Sequence, residues 1–292
     1  MQQTIDLSIL LPENANNTLL EQGIAQLQEY QAMRQLYNGA IREITTKLEN
    51  LDDEFSTRYA HNPIHHMESR LKSLKSIVGK LQRKGLPLTL ASAQKELYDI
   101  AGVRVICNYI DDIYDLANML CNQGDVAVLR RRDYIQEPKP NGYRSLHLTV
   151  RIPVFLSTGS VGVPVEIQIR TMAMNFWATI EHSLQYKYKE NIPEYIQQKL
   201  LDASEAIIEV DHEMSDVRDE IMDAQNSHRK KETLVKDILN NIQNLYKVAN
   251  QREVTKIQDE FYKVYVLDDM LQLKHFARQL DIISEGYRAQ SL

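Results

Sequence analysis

Apolar residues recur near helical period early in the chain. Leu20, Ile24, Leu27, Met33, Leu36, Ile41, Ile44, Leu48 and Leu51 predict a long helix from Thr18 to Tyr59, with one break near Asn38-Gly39. Asn62-Pro63 predicts a stop. Ile64 to Lys84 then reads as a second, basic helix, ended by Gly85 and Pro87. The pattern changes at Ala101, where a run rich in β-branched residues predicts a strand to Tyr109. A helix from Asp111 to Asn122 follows, with Asp111 or Asp112 near its N-cap, and then a strand from Val126 to Asp133. Glu137 to Gly142 has the Pro, Asn and Gly content of a loop. Tyr143 to Phe155 and Val163 to Thr171 read as strands, Met172 to Lys189 as helix, and Pro193 to about Ala249 as a long charged helix. Between Thr255 and Leu292 the pattern predicts a strand over Phe261 to Leu267 and a helix from Asp268 to Leu280.

Helices, then a mixed middle, then helices again lack the regular alternation of a doubly wound sheet. The expected class is α+β, with a mixed, mostly antiparallel sheet of about five strands flanked by helices. Four segments are expected. They are an N-terminal helical segment 1–63, a core 64–190, a helical oligomerisation segment 191–250, and a C-terminal extension 251–292 of unknown role.

At 43% hydrophobic residues the chain can bury a core, which excludes wholesale disorder. No uncharged apolar run reaches the length of a membrane span, and Met1 to Leu11 lacks the basic region of a secretory signal. Cys107 and Cys121 alone make neither a disulfide framework nor a structural zinc site, so a cytoplasmic protein is expected. The net charge of −6 hides an asymmetry. Arg70, Lys72, Lys75, Lys80, Arg83 and Lys84 face only Glu68 between positions 65 and 84. Arg130, Arg131, Arg132, Lys139, Arg144 and Arg151 face only Asp133 and Glu137 between 130 and 151. Two basic blocks in an acidic chain point to a polyanion as ligand, although solvated charge gives the same pattern.

Two strands carry an unusual polar face. Glu166, Gln168 and Arg170 alternate with Val165, Ile167 and Ile169. Ser145, His147, Thr149 and Arg151 alternate with Leu146, Leu148, Val150 and Ile152. A half-solvated sheet would also alternate, but a mixture of carboxylate, amide, imidazole and guanidinium suits a ligand better than water. The loop Lys139-Pro-Asn-Gly-Tyr143-Arg-Ser-Leu-His147 brings an aromatic ring beside cations. That arrangement can stack a base and meet phosphates, or form an ordinary turn. Asp99 precedes the strand at Ala101. It could share a divalent cation with Glu166, or simply cap a turn.

Four segments carry a family resemblance: SRLKSLKSIVGKLQRKG (Ser69 to Gly85), YDIAGVRVIC (Tyr98 to Cys107), RRRDYIQEPKPNGYRSLH (Arg130 to His147) and VPVEIQIRTMAMNFWATIEHSLQYK (Val163 to Lys187). In them the sequence resembles the synthetase domain of RelA/SpoT homologues, and most closely the small alarmone synthetases. The resemblance implies a nucleotidyltransferase-like core and a GTP pyrophosphokinase. Such an enzyme passes pyrophosphate from ATP to the ribose 3′-hydroxyl of GDP or GTP, giving ppGpp or pppGpp and AMP.

The resemblance also implies roles for single residues. Asp99 and Glu166 would be catalytic and hold Mg²⁺, with Glu166 as second ligand or as acceptor of the 3′-hydroxyl proton. Arg70, Lys72, Ser76, Lys80 and Arg104 would bind ATP, the two arginines sandwiching adenine. Lys72, Ser76 and Lys80 would line one helix face toward the triphosphate. Arg132, Lys139, Tyr143, His147, Gln168, Asn175 and Glu181 would bind GTP or GDP, with Tyr143 stacked on guanine. In the following helix Asn175, Thr179 and His182 are expected on one face, Phe176, Ile180 and Leu184 on the buried one, and Trp177 in the core. No His-Asp dipeptide occurs, so a synthetase without a hydrolase is expected. The helical ends suggest a homo-oligomer, with a tetramer favoured; single-stranded RNA or an alarmone is a candidate effector, and no membrane partner is expected. Two alternatives stand beside this reading. One is a toxin-like relative that modifies adenine nucleotides or tRNA 3′ ends. The other is a non-catalytic RNA- or nucleotide-binding module.

Overall fold

A computed structural model describes residues 17–59, 61–188, 192–247 and 249–290. Thirteen elements follow one another: α1 (Asn17–Arg58), β1 (Ile64–Leu71), α2 (Leu74–Arg83), α3 (Leu90–Glu96), β2 (Ala101–Cys107), α4 (Ile110–Cys121), β3 (Ala127–Asp133), β4 (Leu146–Leu156), β5 (Gly159–Thr171), α5 (Met172–Tyr188), α6 (Glu194–Leu245), α7 (Gln251–Val266) and α8 (Met270–Gln290). The chain divides into two compact units, 1–215 and 216–292.

The first unit holds a five-stranded sheet in the order β1-β2-β5-β4-β3. Only β2 and β5 are parallel; the other three pairings are antiparallel, so the α+β class with a mixed sheet holds. Alternation divides the sheet into two faces. Val103, Val105, Leu146, Leu148, Val150, Val165, Ile167 and Ile169 are buried on one face, with Ile41, Ile44 and Leu48 of α1 and Ile113, Leu116 and Leu120 of α4 in the same core. Burying a Leu, Ile or Val contributes about 1.5–3 kcal/mol each, so this face carries much of the stability of the unit.

The opposite face is polar, and the strand register sets it out in rows. One row runs Arg70, Gly102, Glu166, Thr149, Arg130, and the next runs Glu68, Arg104, Gln168, His147, Arg132. Five separate sequence segments therefore meet on one surface.

Several local expectations are corrected. Positions 64–84 are not one helix: β1 pairs antiparallel with β2, and α2 begins after Ser73, whose side chain caps the amide of Ser76. An edge strand with one face toward polar groups shows too few apolar residues for its alternation to stand out. Lys72, Ser76 and Lys80 consequently do not share a helix, since Lys72 lies in the connection before α2. Helix α1 runs through Asn38-Gly39 unbroken. A Cβ at Gly39 would lie 2.8 Å from Val154 Cγ1, so this glycine permits a close approach of β4 and does not break the helix. Asp111 and Asp112 do lie near the N-cap of α4, as expected: the cap residue is Tyr109, and Asp112 accepts its backbone N–H from inside the first turn. Helix α3 had no counterpart among the expected elements.

Phe261 to Leu267 is not a strand; positions 261–266 end α7. The second unit has its own core of Ile238, Ile242, Leu245, Val254, Phe261, Leu273, Phe276 and Leu280. Packing in that helical cluster overrides the strand preference of aromatic and β-branched residues. Among the described residues no helix is long and apolar enough to cross a membrane.

Candidate active site

At the edge of the polar face Asp99 sits just before β2. Its Oδ2 is bonded by both Lys72 and Lys80. Burial pushes the Asp99 carboxyl up, but the hydrogen bonds and charges of the two lysines outweigh it and hold the group below its ordinary value. Burial lowers the Lys72 ammonium, against the opposing pull of Asp99. Cations from two parts of the first basic block thus converge on one carboxylate, although they do not share a helix.

Asp99 and Glu166 line one small pocket of about 120 Å³, with Glu68, Ser69, Arg70, Gly102, Arg104 and Gln168 around it. Gly102 keeps the floor open. A Cβ there would meet the Arg70 side chain at 3.7 Å, so Arg70 lies across this glycine. Arg104 is tied to Glu68 at 3.0 Å. The two guanidiniums thus stand on neighbouring strands at the pocket rim.

Glu166 is held from two sides. Gln168 Nε2 donates to its Oε2 at 2.9 Å, and His147 Nδ1 lies 3.6 Å from Oε1. Burial pushes this carboxyl up; His147 and Gln168 outweigh burial and the opposing charge of Asp99, so the group lies below its ordinary value. Glu166 is therefore ionised near neutral pH. The network continues outward: Arg170 donates to Gln168 Oε1 at 3.2 Å, and the Tyr143 hydroxyl meets His147 Nε2 at 2.8 Å.

The aromatic cluster forms the other wall. Lys139 Nζ is 4.4 Å from the Tyr143 ring centroid and 4.7 Å from that of Tyr134. Tyr134 stands edge-on to His147 at 5.1 Å and accepts a bond from Arg132 at 3.0 Å. Burial pushes the Tyr143 phenol up, so it stays neutral. Arg170 lies 5.9 Å from the same ring, and burial lowers its guanidinium to about 10. Neither Tyr134 nor Arg170 was among the expected site residues. The polar alternation on β5 pointed to Arg170; nothing local pointed to Tyr134.

Two expected site residues, Ser76 and Glu181, lie apart from this pocket. Ser76 is exposed and shares a 2.9 Å hydrogen bond with Ser73. Glu181 is buried at 7% exposure and accepts from Asn141 at 2.9 Å and from Gln185. It anchors the 139–143 loop and lies outside the pocket that Glu166 lines. On α5 the inward residues are Met174, Trp177, Ala178 and Glu181, while Phe176 and Ile180 are exposed at 66% and 44%. The expected apolar face is thus corrected: α5 turns a mixed stripe inward, and Glu181 replaces an apolar residue in it. Trp177 is buried as expected. Asn175 is half-buried at the start of α5.

A divalent cation fits two of these residues by their chemistry. Asp99 Oδ1 is buried, and among the described residues nothing bonds it, while Glu166 lines the same pocket. No group of three or more His, Cys, Asp or Glu among the described residues could hold a metal. Two carboxylates alone match an ion that takes its remaining oxygens from water and phosphate. Arg104 Nε, Arg170 Nε and Asn175 Oδ1 are also buried without a partner among the described residues. Unsatisfied buried polar atoms are rare in proteins, and three of these four belong to residues of the polar face or its edge.

Comparisons with known proteins agree with this arrangement. The region found in RelA/SpoT proteins matches residues 69–191. GTP pyrophosphokinase YjbM of Bacillus subtilis is 44% identical over 67% of this chain and 91% of its own length; GTP pyrophosphokinase YwaC of the same organism is 42% identical over 64% and 89%. The crystal structure of small alarmone synthetase 1 from Bacillus subtilis bound to its product pppGpp covers 66% of this chain and 98% of its own. It shows a TM-score of 0.62 and 43% identity. Matching motifs, near-complete coverage of two relatives and a shared fold lead to one conclusion: the chain belongs to the RelA/SpoT family of GTP pyrophosphokinases.

Proposed function

We propose that this protein is a GTP pyrophosphokinase that transfers the pyrophosphoryl group of ATP to the ribose 3′-hydroxyl of GDP or GTP. The observation that carries the reading is the convergence of Asp99, Glu166, Arg70 and Arg104 on one pocket, with Lys72 and Lys80 on Asp99 and the Tyr143–Lys139 pair farther along the same face. Arg70 and Arg104 bind the adenine, and Lys72 and Lys80 turn from Asp99 toward the triphosphate. Arg132, Lys139 and His147 meet the acceptor's phosphates, Tyr143 stacks on guanine, and Gln168 and Asn175 read its edge. Phosphoryl chemistry of this kind rests on positioning and charge neutralisation, so no protein nucleophile is needed.

Glu166 is ionised and stands between the two nucleotide regions. It takes the proton as the 3′-oxygen forms its bond to the β-phosphorus of ATP; the bond between that phosphorus and the bridging oxygen breaks, and AMP leaves. Mg²⁺ held by Asp99 and Glu166 would neutralise charge on the phosphate oxygens when bound. The segments 191–250 and 251–292 serve assembly and an undefined accessory role in this reading, within a cytoplasmic homotetramer.

The test is an acceptor panel. Purified protein is incubated with ATP and, in turn, GDP, GTP, ADP, ATP alone and tRNA, with Mg²⁺ and with EDTA in excess. The expected products are ppGpp and pppGpp, only with the metal present and without unfolding on its removal. Product from adenine acceptors or tRNA alone would overturn the guanine assignment, and no product from any acceptor would leave a binding module.

A further inference from the structure

The loop that carries Lys139 and Tyr143 turns tightly. Gly142 donates to the Lys139 carbonyl at 2.8 Å and has φ +87°, a conformation in which a side chain is strained. That turn is held from outside by α6. Ser204, only 3% exposed, donates its hydroxyl to the Gly142 carbonyl. The fit is close: a Cβ at Gly142 would lie 2.9 Å from Ser204 Cβ and 3.3 Å from Leu201 Cδ1.

Ser204 is one of three anchors on the same helix. Trp177 of α5 donates to the Leu200 carbonyl at 2.8 Å, and Thr171, at the end of β5, donates to Asp211 at 2.6 Å. Positions 201, 204, 208 and 211 share one face of a helix by their spacing, and Ile208 packs against the main core. A single helix face therefore reaches three elements, and each bears residues assigned above to the acceptor: the 139–143 loop, β5 with Gln168, and α5 with Asn175. The donor residues Arg70, Lys72 and Lys80 lie on β1, in the connection and on α2, and none of these three hydrogen bonds runs to those elements.

We infer that Ser204 is a positioning residue for the acceptor nucleotide: its hydroxyl fixes the Gly142 turn and so sets where the Tyr143 ring and the Lys139 ammonium meet the guanosine substrate. This rests on the acceptor role of that loop proposed above. Without the bond the turn gains freedom, and each binding event must order it again. The cost falls on the acceptor alone.

The experiment compares the full-length wild type, Ser204→Ala and Ser204→Cys in steady-state kinetics, varying ATP and GTP separately. Trp177 is the chain's sole tryptophan, so its emission reports whether α5 and α6 remain packed. Ser204→Ala is expected to raise the KM for GTP by about five- to tenfold, the range set by loss of one buried hydrogen bond. The KM for ATP and kcat should stay within twofold, and Trp177 emission should not move. Ser204→Cys keeps a donor at the same position, weaker and somewhat larger, and should shift the same constant in the same direction by less. An unaltered GTP KM in both variants overturns the inference, as does an equal rise for both substrates accompanied by a Trp177 shift. A wild type that makes no guanosine product overturns the acceptor reading as well, whereas an active wild type with unaltered variants overturns the Ser204 role alone.

Discussion

Replacing Asp99 by Asn tests whether one carboxylate holds the donor side together. Asp99 and Lys72 are 14% and 13% exposed at their side chains and Lys80 is 30%. For a typical ion-pair separation of about 3 Å and an effective dielectric near 20, such a pair is worth roughly 5 kcal/mol of gross attraction. Desolvation cancels much of it, and breaking a buried pair costs about 3–5 kcal/mol net. Lys80 can turn to water once released, so Asp99→Asn should lose about 2–4 kcal/mol. Removing one charge leaves two ammonium groups facing each other, and one of them is already weakened by burial.

The pH dependence follows from the direction of the Asp99 shift. The folded carboxyl lies below its unfolded value, so its contribution is complete above about pH 4 and disappears as pH falls through the folded value. The stability gap between wild type and Asp99→Asn, read from urea midpoints, should be full at pH 6 and narrow toward pH 3. Turnover in the variant should fall by at least about a hundredfold. A gap below about 0.5 kcal/mol at pH 6, or a gap of equal size at pH 3, would refute the reasoning.

Glu166→Gln keeps the bond from Gln168 within reach but removes the proposed proton acceptor. It should lower kcat by about 10²–10⁴-fold with little change in either KM, as measured by initial rates at pH 8. Tyr143→Ala removes the proposed stacking surface and should weaken acceptor binding by about 1–3 kcal/mol, measured as the GTP KM. Tyr143→Phe keeps the ring and loses the bonds of the hydroxyl, the 2.8 Å contact to His147 among them, so its GTP KM should stay within a few-fold of wild type. Leu148→Ala, in the buried face of β4, should cost about 2–5 kcal/mol in a chemical unfolding assay while leaving the substrate KM values unchanged in the folded fraction.

Much of the site was legible in sequence because β-strands have period two. Glu166, Gln168 and Arg170 alternate with buried residues, as do His147 and Thr149, and the register sets His147 opposite Gln168 and Thr149 opposite Glu166. The edge strand β1 was not legible. His66, Glu68 and Arg70 face one way and Met67 and Leu71 the other, and so few apolar positions cannot separate strand from helix. The inward face of α5 was also misassigned. Helical spacing allows several stripes, and the bonds from Asn141 and Gln185 make a buried Glu181 tolerable where Phe176 would have been the simpler choice.

What the chain alone determined was the α+β class, the polar faces of β4 and β5, and the residue types suited to a nucleotide and a divalent ion. These follow from local periodicity and short-range chemistry. Tertiary structure alone decided that Lys72 and Lys80 meet on Asp99, that Tyr134 joins the aromatic wall, and that Ser204 bonds a glycine 62 positions earlier. These contacts depend on strand order and on how helices pack over the sheet, and both are set by burying apolar area across the whole unit.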